Sequence, residues 1–411
     1  MLERFKTSND FRLNFQYFLL QGFYWMIVCC AISLGSAYLS DRGYSTAGIG
    51  ILFALAFALA ALLQPIISIN TDNSSRYTVV DVLTVLGIIV TLDLLLACTT
   101  SGKTIATGLT FFVGVMFAQL VQPFLNALNF FIEDHGVEMN YGVARANGSF
   151  FFFIISLVAG NLMKATSERA LPIIGFIASV CFMVVLIWMR YTLNKSSKSF
   201  AKEYDPFEKR QAGEEITVKA VKKFITDNIA FFVIMIGVTC FFFGHVLINN
   251  FIYQITSHVG GDEADTGGIL ALAALVELPA MIFFNKIKYR FSTKFLFGVS
   301  AFFFFIKMLF TSIATNVGML YFSMIFQALA FALFIPASVH FVDEFMAAKD
   351  SVKGQAFLVV AMTLANALAS FVGGGAMFSF GVTFSLWFST AISLAGVLIC
   401  IYGLFRINAK K

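Results

Sequence analysis

One long hydrophilic stretch, Asn194–Thr226, interrupts a chain that is otherwise almost continuously apolar. It holds 13 charged residues in 33 positions, with 193 residues before it and 185 after it. The whole chain is 59% hydrophobic and 12% charged, whereas soluble domains carry about 25% charged residues. Such a chain lacks the polar side chains to cover a water-exposed surface. The pattern therefore predicts two membrane-embedded halves, 1–193 and 227–411, joined by a hydrophilic linker at 194–226.

Apolar segments of about 20 residues are long enough to cross a bilayer as helices. The predicted fold class is therefore an all-α membrane protein with six helices in each half, and an even number of crossings puts both termini on one side. We predict twelve transmembrane helices, at 13–38, 46–69, 77–99, 104–132, 143–164, 170–193, 227–255, 266–286, 294–315, 317–342, 354–377 and 380–405.

The basic residues are distributed asymmetrically between the two sides. With the N-terminus inside, 23 of the 28 Lys and Arg residues lie in inner loops, at the termini or at adjacent helix ends, and Lys307 falls within a span. This excess predicts a cytoplasmic linker, cytoplasmic termini and a multi-pass protein of the plasma (inner) membrane. Because the basic residues lie between apolar spans, the net charge of +5 does not indicate nucleic-acid binding. The four basic residues left outside are Arg42, Lys103, Lys164 and Arg169.

Three weak internal similarities recur at nearly constant spacing, 214, 213 and 212 residues apart. Together they predict duplicated six-helix halves in parallel orientation, the architecture of the major facilitator superfamily, in which the substrate site lies near the midplane between the halves. The aligned pairs are Pro65 with Pro279, Pro123 with Pro336, and Gly142 with Gly354.

Three charged side chains fall within or beside predicted spans: Glu277, Lys307 and Arg145. A charge at mid-bilayer costs at least about 2.5–3.5 kcal/mol, so such residues are expected to line a cavity or to pair with each other. Two alternatives stay open. Glu277 and Lys307 can form a purely structural ion pair, and Arg145 can be a loop residue that pairs with a carboxylate among Glu133, Asp134 and Glu138.

Uncharged polar residues occur in spans of both halves. Each one alone is more typical of an interhelical hydrogen bond than of a ligand contact, but together with aromatic neighbours they suit a hydroxyl-rich solute. Asp93, near the outer end of the third span, is expected at the level of the lipid headgroups. The set comprises Gln21, Trp25, Asn126, His245, Asn249, Gln327 and Asn366.

No enzyme motif is present in the sequence. It contains no Walker loop, no Gly-x-Ser-x-Gly and no metal-ligand spacing, and its six Cys residues all lie in apolar segments. We therefore predict no enzymatic activity, no cofactor and no metal site. Without a nucleotide site, transport has to be secondary or facilitated.

Three sequence segments resemble the oligosaccharide–proton symporters, the family typified by lactose permease. VELPAMIFFNKI (276–287) resembles its eighth helix, NYGVARANG (140–148) the start of its fifth, and QPIISINTD (64–72) the end of its second. The resemblance implies that Glu277 and Arg145 bind sugar and that Asp72 belongs to the conformational-switch loop after the second helix.

The same resemblance assigns roles to other positions. Phe152 falls where the family stacks a tryptophan under the sugar ring, and Lys307 falls on a ninth-helix arginine. The departures are equally specific. The family's fourth-helix glutamate is Asn126 here, its tenth-helix histidine is Gln327, and its proton-carrying glutamate is Ala330.

We therefore predict a monomeric carrier in the lipid bilayer for a small hydroxylated solute, a sugar or glycoside, moved together with protons. Glu277 is the candidate for proton coupling. The alternatives are a nucleoside permease, a drug or metabolite exporter of the same fold, and a non-transporting sensor or scaffold. The predicted substrate ligands are Arg145, Glu277, Asn126, Phe152, Gln327 and Lys307.

The topology is tested by cysteine labelling. A cysteine placed by Lys209→Cys in the linker should stay unlabelled when an impermeant reagent is added to intact cells, because the basic residues place the linker inside. The control, Lys103→Cys, should be labelled readily. Labelling at position 209 that matches position 103 would contradict the predicted orientation.

Overall fold

The computed structural model describes residues 8–74, 76–134, 136–195, 224–346 and 351–407, and within these ranges the regular structure is helical. The predicted linker, Asn194–Thr226, falls outside the described residues except at its two ends.

The first half forms six helices, which we label α1 to α6. The first is irregular: α1 runs over Ser8–Val28, continues as a π-helix over Cys29–Ser33 and ends with Gly35–Asp41. The other five are α2 at Thr46–Asn73, α3 at Val79–Thr99, α4 at Ile105–Asp134, α5 at Tyr141–Ala165 and α6 at Ala170–Lys195.

The second half repeats this order with helices α7 to α12. Two of them are interrupted. The helix α10 consists of Val317–Ile325, a 3-10 turn at Phe326–Ala328 and Phe331–Phe345, and α11 begins at Ser351–Leu368 and passes through a π-helix at Ala369–Gly373. The others are α7 at Ile229–Asn250 with Ile252–His258, α8 at Glu263–Arg290 and α9 at Thr293–Ser312.

The end of α11, residues 374–380, and α12, residues 382–406, are joined within Gly374–Arg406 at Gly381, which has φ 86° and ψ 169°. This left-handed conformation is accessible to glycine without the steric cost that a Cβ imposes, and the chain reverses there. The described residues therefore contain eleven apolar segments long enough to span a membrane, the last of them 54 residues long. The reversal at Gly381 divides that segment in two, and the predicted all-α fold with twelve crossings is confirmed.

Local sequence explains where several helices begin. Ser45, Ser292 and Asn316 each accept a hydrogen bond from a backbone N–H of the first turn, which satisfies a donor that has no partner inside the helix. Prolines lie beyond the first turn in four of the described helices, Pro65 in α2, Pro123 in α4, Pro279 in α8 and Pro336 in α10. Each aligned pair of prolines thus occupies the second or the fourth helix of its half.

The two halves contact each other on the side away from the termini, which we call the far side; the opposite side is the termini side. There α5 packs closely along α8, and α2 packs against α11. A Cβ built on Gly160 would lie 2.6 Å from the Glu263 carbonyl oxygen and 2.8 Å from the Gly267 Cα. Small residues allow the helices to approach this closely.

Polar contacts reinforce the far side. The Gln254 amide donates to the Ser40 hydroxyl at 2.8 Å and to the Ser36 carbonyl at 3.3 Å, and Lys164 Nζ lies 2.6 Å from Asp262 Oδ2. On the termini side, α4 and α10 make no substantial contact among the described residues. The halves are thus joined at the far side, whereas α4 and α10 stay apart on the termini side.

Closure of the far side depends on the absence of a side chain at Gly160. We expect Gly160→Leu to keep the far ends of α5 and α8 apart. Spin labels at Lys103 and Asn316, in a background without native cysteines, should then show a longer distance by pulsed electron paramagnetic resonance. Gly142→Leu, on the same helix but with nothing within 4 Å of its Cβ, is the control and should leave the distance unchanged. An unaltered distance in Gly160→Leu would refute this account of closure.

Candidate functional site

A cavity of about 360 Å³ lies between the two halves and receives side chains from both. Its wall combines charged groups, amides and aromatic rings. From the first half it is lined by Tyr24, Trp25, Val28, Ile32, Ser33, Phe57, Gln119, Gln122, Asn126, Tyr141, Arg145, Ser149 and Phe152; from the second by Phe242, His245, Val246, Asn249, Asn250, Leu270, Ala273, Ala274, Glu277, Gln327, Phe331, Ile335, Met362 and Asn366.

On the wall of the second half, the Gln327 amide connects two buried charges. Its Nε2 donates to Glu277 Oε1 at 2.7 Å, and its Oε1 accepts from Lys307 Nζ at 2.6 Å. Lys307 is 1% exposed and Glu277 8% exposed. The two charges are thus joined through an amide, and the described ion pairs do not include a direct Glu277–Lys307 contact.

The network continues from Lys307 to α7. Lys307 Nζ lies 3.5 Å from His245 Nδ1, and His245 Nε2 lies 3.0 Å from the Asn249 amide nitrogen. Asn249 and His245 are one helical turn apart, so both face the cavity from the same side of α7. The ring of Phe331 stacks on His245 with centroids 4.9 Å apart. Four helices, α7 to α10, therefore contribute to one chain of hydrogen-bonding groups.

The position of Gln327 follows from the interruption of α10. Gln327 lies in the 3-10 turn Phe326–Ala328, and Ala330, with φ −79° and ψ −89°, leaves the helical conformation before the next segment begins. Discontinuous helices of this kind commonly form the binding sites of secondary transporters.

On the wall of the first half, Arg145 lies among aromatic rings. Its guanidinium carbon is 4.2 Å from the centre of the Trp25 ring, and Nη1 is 3.5 Å from the Ser149 hydroxyl. Phe152 contacts Trp25 edge to face, with centroids 6.4 Å apart. A guanidinium stacked over indole keeps its N–H groups free at the ring edge. The Glu277 carboxyl group lies on the opposite wall of the same cavity.

Amide side chains of α4 complete this wall. Asn126 Oδ1 accepts from Gln21 at 3.4 Å, and Gln21 in turn donates to the Tyr17 hydroxyl at 2.8 Å. Gln119, Gln122 and Asn126 follow one another at intervals of three and four residues, which places them on one face of the helix. All three line the cavity.

A protein-family model, described as the MFS_1 like family, matches residues 11–388, which is most of the chain. The chain belongs to the MFS_1 like family. It is accordingly a member of the major facilitator superfamily and has a transporter fold. No curated protein sequence matches it.

Solved structures of transporters have the same fold as this MFS_1 like chain. A mutant of the nucleoside transporter NupG has a TM-score of 0.73 at 15% identity and covers 96% of this chain and 98% of that one. A mutant of the peptide transporter POT has a TM-score of 0.71 at 13% identity, with 96% and 93% covered. A bacterial homologue of the human lysosomal transporter Spinster, facing inward and unoccupied, has a TM-score of 0.69 at 13% identity, with 97% and 96% covered. At these identities the likeness shows the fold alone.

The structure brings most of the predicted ligands of this MFS_1 like protein to one cavity. Arg145, Asn126, Phe152, Glu277 and Gln327 all line it. Arg145 faces the cavity, and the described ion pairs do not join it to Glu133 or Glu138.

Two predicted residues lie elsewhere. Lys307 is not among the lining residues and contacts the cavity wall from behind, through Gln327. Asp72 is in the last turn of α2, and its side chain lies outside the described part of the chain.

Several lining residues were missed by the sequence analysis. Trp25 was named among the polar and aromatic residues of the spans but not among the predicted ligands, yet it contacts both Arg145 and Phe152. Gln119 and Gln122 were not noted at all, although their spacing to Asn126 along α4 was a usable signal. Among the described residues, no group of three or more His, Cys, Asp or Glu is placed to hold a metal ion.

Asp93, which we expect at the level of the headgroups, does not face the lipid. Its side chain is buried, 9% exposed, and lines a small second cavity inside the first half. Position along a helix indicates depth in the membrane, but the side of α3 that carries Asp93 faces α1, α4 and α6 rather than lipid.

Carboxyl groups on the far side respond to pH in opposite directions. The Lys164 ammonium lowers the pKa of Asp262, so this bridge supports the closed far side above the ordinary pKa of Asp262 and is lost as the pH falls. Burial and the neighbouring Asp41 raise the pKa of Glu168. Because Glu168 and Asp41 both belong to the first half, protonated Glu168 supports the packing of that half at low pH, and this support is lost as the pH rises through its raised pKa.

The role of Gln327 is tested by Gln327→Leu, which removes both charge-bound hydrogen bonds with little change in volume. Interhelical hydrogen bonds in membranes average about 0.6 kcal/mol, but bonds to charged groups are worth about 1.5–3 kcal/mol each. We expect a clear drop in the Tm of the purified protein. Gln119→Leu, in the same cavity but without a described hydrogen-bond partner, should change the Tm little.

A rescue variant separates charge from packing. Adding Glu277→Gln and Lys307→Met to Gln327→Leu should restore much of the lost Tm, because no uncompensated buried charge then remains. Equal Tm values for Gln327→Leu and Gln119→Leu would contradict the bridging role.

Proposed function

We propose that this protein is a secondary carrier of the plasma membrane that moves a small hydroxylated solute, a sugar or glycoside, together with protons by alternating access. The observation that carries the proposal is the cavity between the halves, where Arg145 and Trp25 of the first half face Glu277 and Gln327 of the second. A solute that contacts both walls interacts with both six-helix halves, and alternating access requires that binding affect both of them.

The chemistry of the wall suits a neutral polyol ring. Glu277 accepts hydrogen bonds from hydroxyls, Arg145 donates to them, and the Asn126 amide does both. Trp25 and Phe152 provide apolar faces for the C–H side of a ring. The volume of about 360 Å³ falls in the usual range of small-molecule pockets, about 300–1,000 Å³.

A nucleoside is the second candidate, and the amide groups favour it. Gln119, Gln122, Asn126, Asn249 and Asn366 all line the cavity, and each carries a donor and an acceptor that match the edges of a base. The likeness to NupG adds only the fold. A drug or metabolite exporter is less well supported, because its cavity would need fewer hydrogen-bonding groups.

The remaining parts of the proposal concern coupling and orientation. Glu277 is the candidate for the coupled proton on the solute pathway, since it lines the cavity and its bond to Gln327 links it to Lys307. The excess of basic residues favours a cytoplasmic termini side, and the cavity would then open inward. The carrier would act as a monomer.

The direct test is transport by proteoliposomes, with and without a pH gradient, using labelled methyl glycosides and nucleosides. We expect saturable uptake of one class, with accumulation when the outside is acidic. Glu277→Gln and Arg145→Lys should each weaken solute affinity roughly tenfold to a hundredfold, because each loses hydrogen bonds to a charged group. Lysine cannot reproduce the planar two-donor fork of arginine.

A double variant distinguishes ligand from structural roles. If Glu277 only neutralised Lys307, Glu277→Gln with Lys307→Met would recover transport, since a lone buried charge is the costly state. We expect this double variant to reach the membrane and remain inactive. Parental affinity in well-folded Arg145→Lys and Glu277→Gln proteins would overturn the site assignment.

A further inference from the structure

A second cavity, of about 40 Å³, lies within the first half and is separate from the solute cavity. It contains one carboxylate, Asp93 on α3. The carboxylate lies against the backbone of α4 at Gly114, where a Cβ would come within 2.6 Å of Asp93 Oδ2. The small residue thus leaves room for the carboxyl group.

Asp93 is buried, with 9% of its surface exposed, yet it has no hydrogen-bond or ion-pair partner among the described residues. The titratable groups that line its cavity are the Cys30 thiol and the Tyr38 hydroxyl, both on α1; α4 contributes Thr110 and apolar residues, and α6 contributes Leu171 and Pro172. Tyr38 is already bonded to Thr100 at 2.9 Å.

A buried carboxylate without a partner is unfavourable inside a membrane and has to become neutral or acquire a cation. A metal cation needs several oxygen ligands, and this cavity offers few besides Asp93, because Thr110 donates to the Thr107 carbonyl. The lining is otherwise apolar. The chemistry therefore fits a proton, which requires only the carboxylate itself.

We propose that Asp93 is a proton-binding site of the first half, distinct from the solute site and coupled to it through the π-helix of α1. This inference rests on the proposed function, since it assigns a second position to the coupled proton.

The π-helix Cys29–Ser33 is the physical connection between the two cavities. Cys30 and Ala31 line the Asp93 cavity, whereas Ile32 and Ser33 line the solute cavity. A π-helix inside an α-helix is rare and occurs frequently at functional sites. A change of shape at one cavity therefore repositions side chains at the other.

The same segment leads to the far side. Beyond Ser33, α1 continues as Gly35–Asp41, and there Ser36 and Ser40 accept hydrogen bonds from Gln254 of the second half. Loss of the proton from Asp93 leaves a charge that needs water, and water reaches it only if the surrounding helices move. Proton release is thereby tied to opening of the far side.

The protonation itself is tested without any solute. In the infrared spectrum of the purified protein, titration should reveal a C=O stretch of a protonated carboxylic acid that is lost in Asp93→Asn. The band should persist in Glu277→Gln, which removes the buried carboxyl group of the solute cavity, and in Glu138→Gln, an exposed control. Gly114→Ala keeps the carboxyl group but crowds it, and should shift the frequency. An unchanged band in Asp93→Asn would overturn the proposal.

The coupling is tested in proteoliposomes with whichever methyl glycoside or nucleoside the parent protein accumulates. Asp93→Asn should retain solute exchange at equal pH, because it leaves the solute cavity intact, while accumulation driven by a pH gradient should fall at least tenfold. Glu277→Gln should instead lose affinity for the solute.

The possible failures are distinguishable. A parent protein that moves neither class of solute contradicts the proposed function, while the infrared band still decides whether Asp93 binds a proton. Full gradient-driven accumulation by well-inserted Asp93→Asn overturns the coupling role of Asp93 alone.

Discussion

The hydrogen-bonded amide of Gln327 is the interaction on which the solute cavity depends. It stands between a buried carboxylate and a buried ammonium, with its N–H toward Glu277 and its carbonyl toward Lys307. This orientation is favourable because each end of the amide meets an opposite charge. Removing either charge leaves the other uncompensated in a medium where that is costly. Glu277 can therefore face the cavity as a carboxylate. Lys307 lies behind it, joined to it through Gln327, and offsets its charge without contacting the solute.

The first half complements this wall with a different chemistry. Arg145 stacks on Trp25, and the ion pairs among the described residues do not include it, so its N–H groups stay available to a solute. The halves themselves meet at the far side through glycines and short polar contacts. Small residues let the backbones approach closely there, which is consistent with a junction that opens and closes.

Much of this architecture could be predicted from the sequence, because a bilayer dictates helix length and penalises isolated charges. Those two rules gave the all-α fold and correctly marked Glu277 and Arg145 as residues that face the cavity. They could not tell which side of a helix faces a cavity, a neighbouring helix or lipid. Asp93 was expected near the headgroups and faces neighbouring helices. Lys307 was expected to bind the substrate, but it lies behind the cavity wall and contacts Gln327. The π-helix of α1 and the break in α10 were also absent from the predictions, since both arise from packing between helices rather than from a local sequence signal.

The break in α10 has a mechanical consequence. The helix is interrupted at Phe326–Ala328 and resumes at Phe331. Its two helical segments, before and after the interruption, can therefore tilt independently. Gln327 lies at the interruption itself, where such a tilt displaces residues least. Phe331 and Ile335, on the second segment, line the cavity toward the termini. The segment Phe331–Phe345 can therefore move far on the termini side, while Gln327 keeps its hydrogen bonds to Glu277 and Lys307.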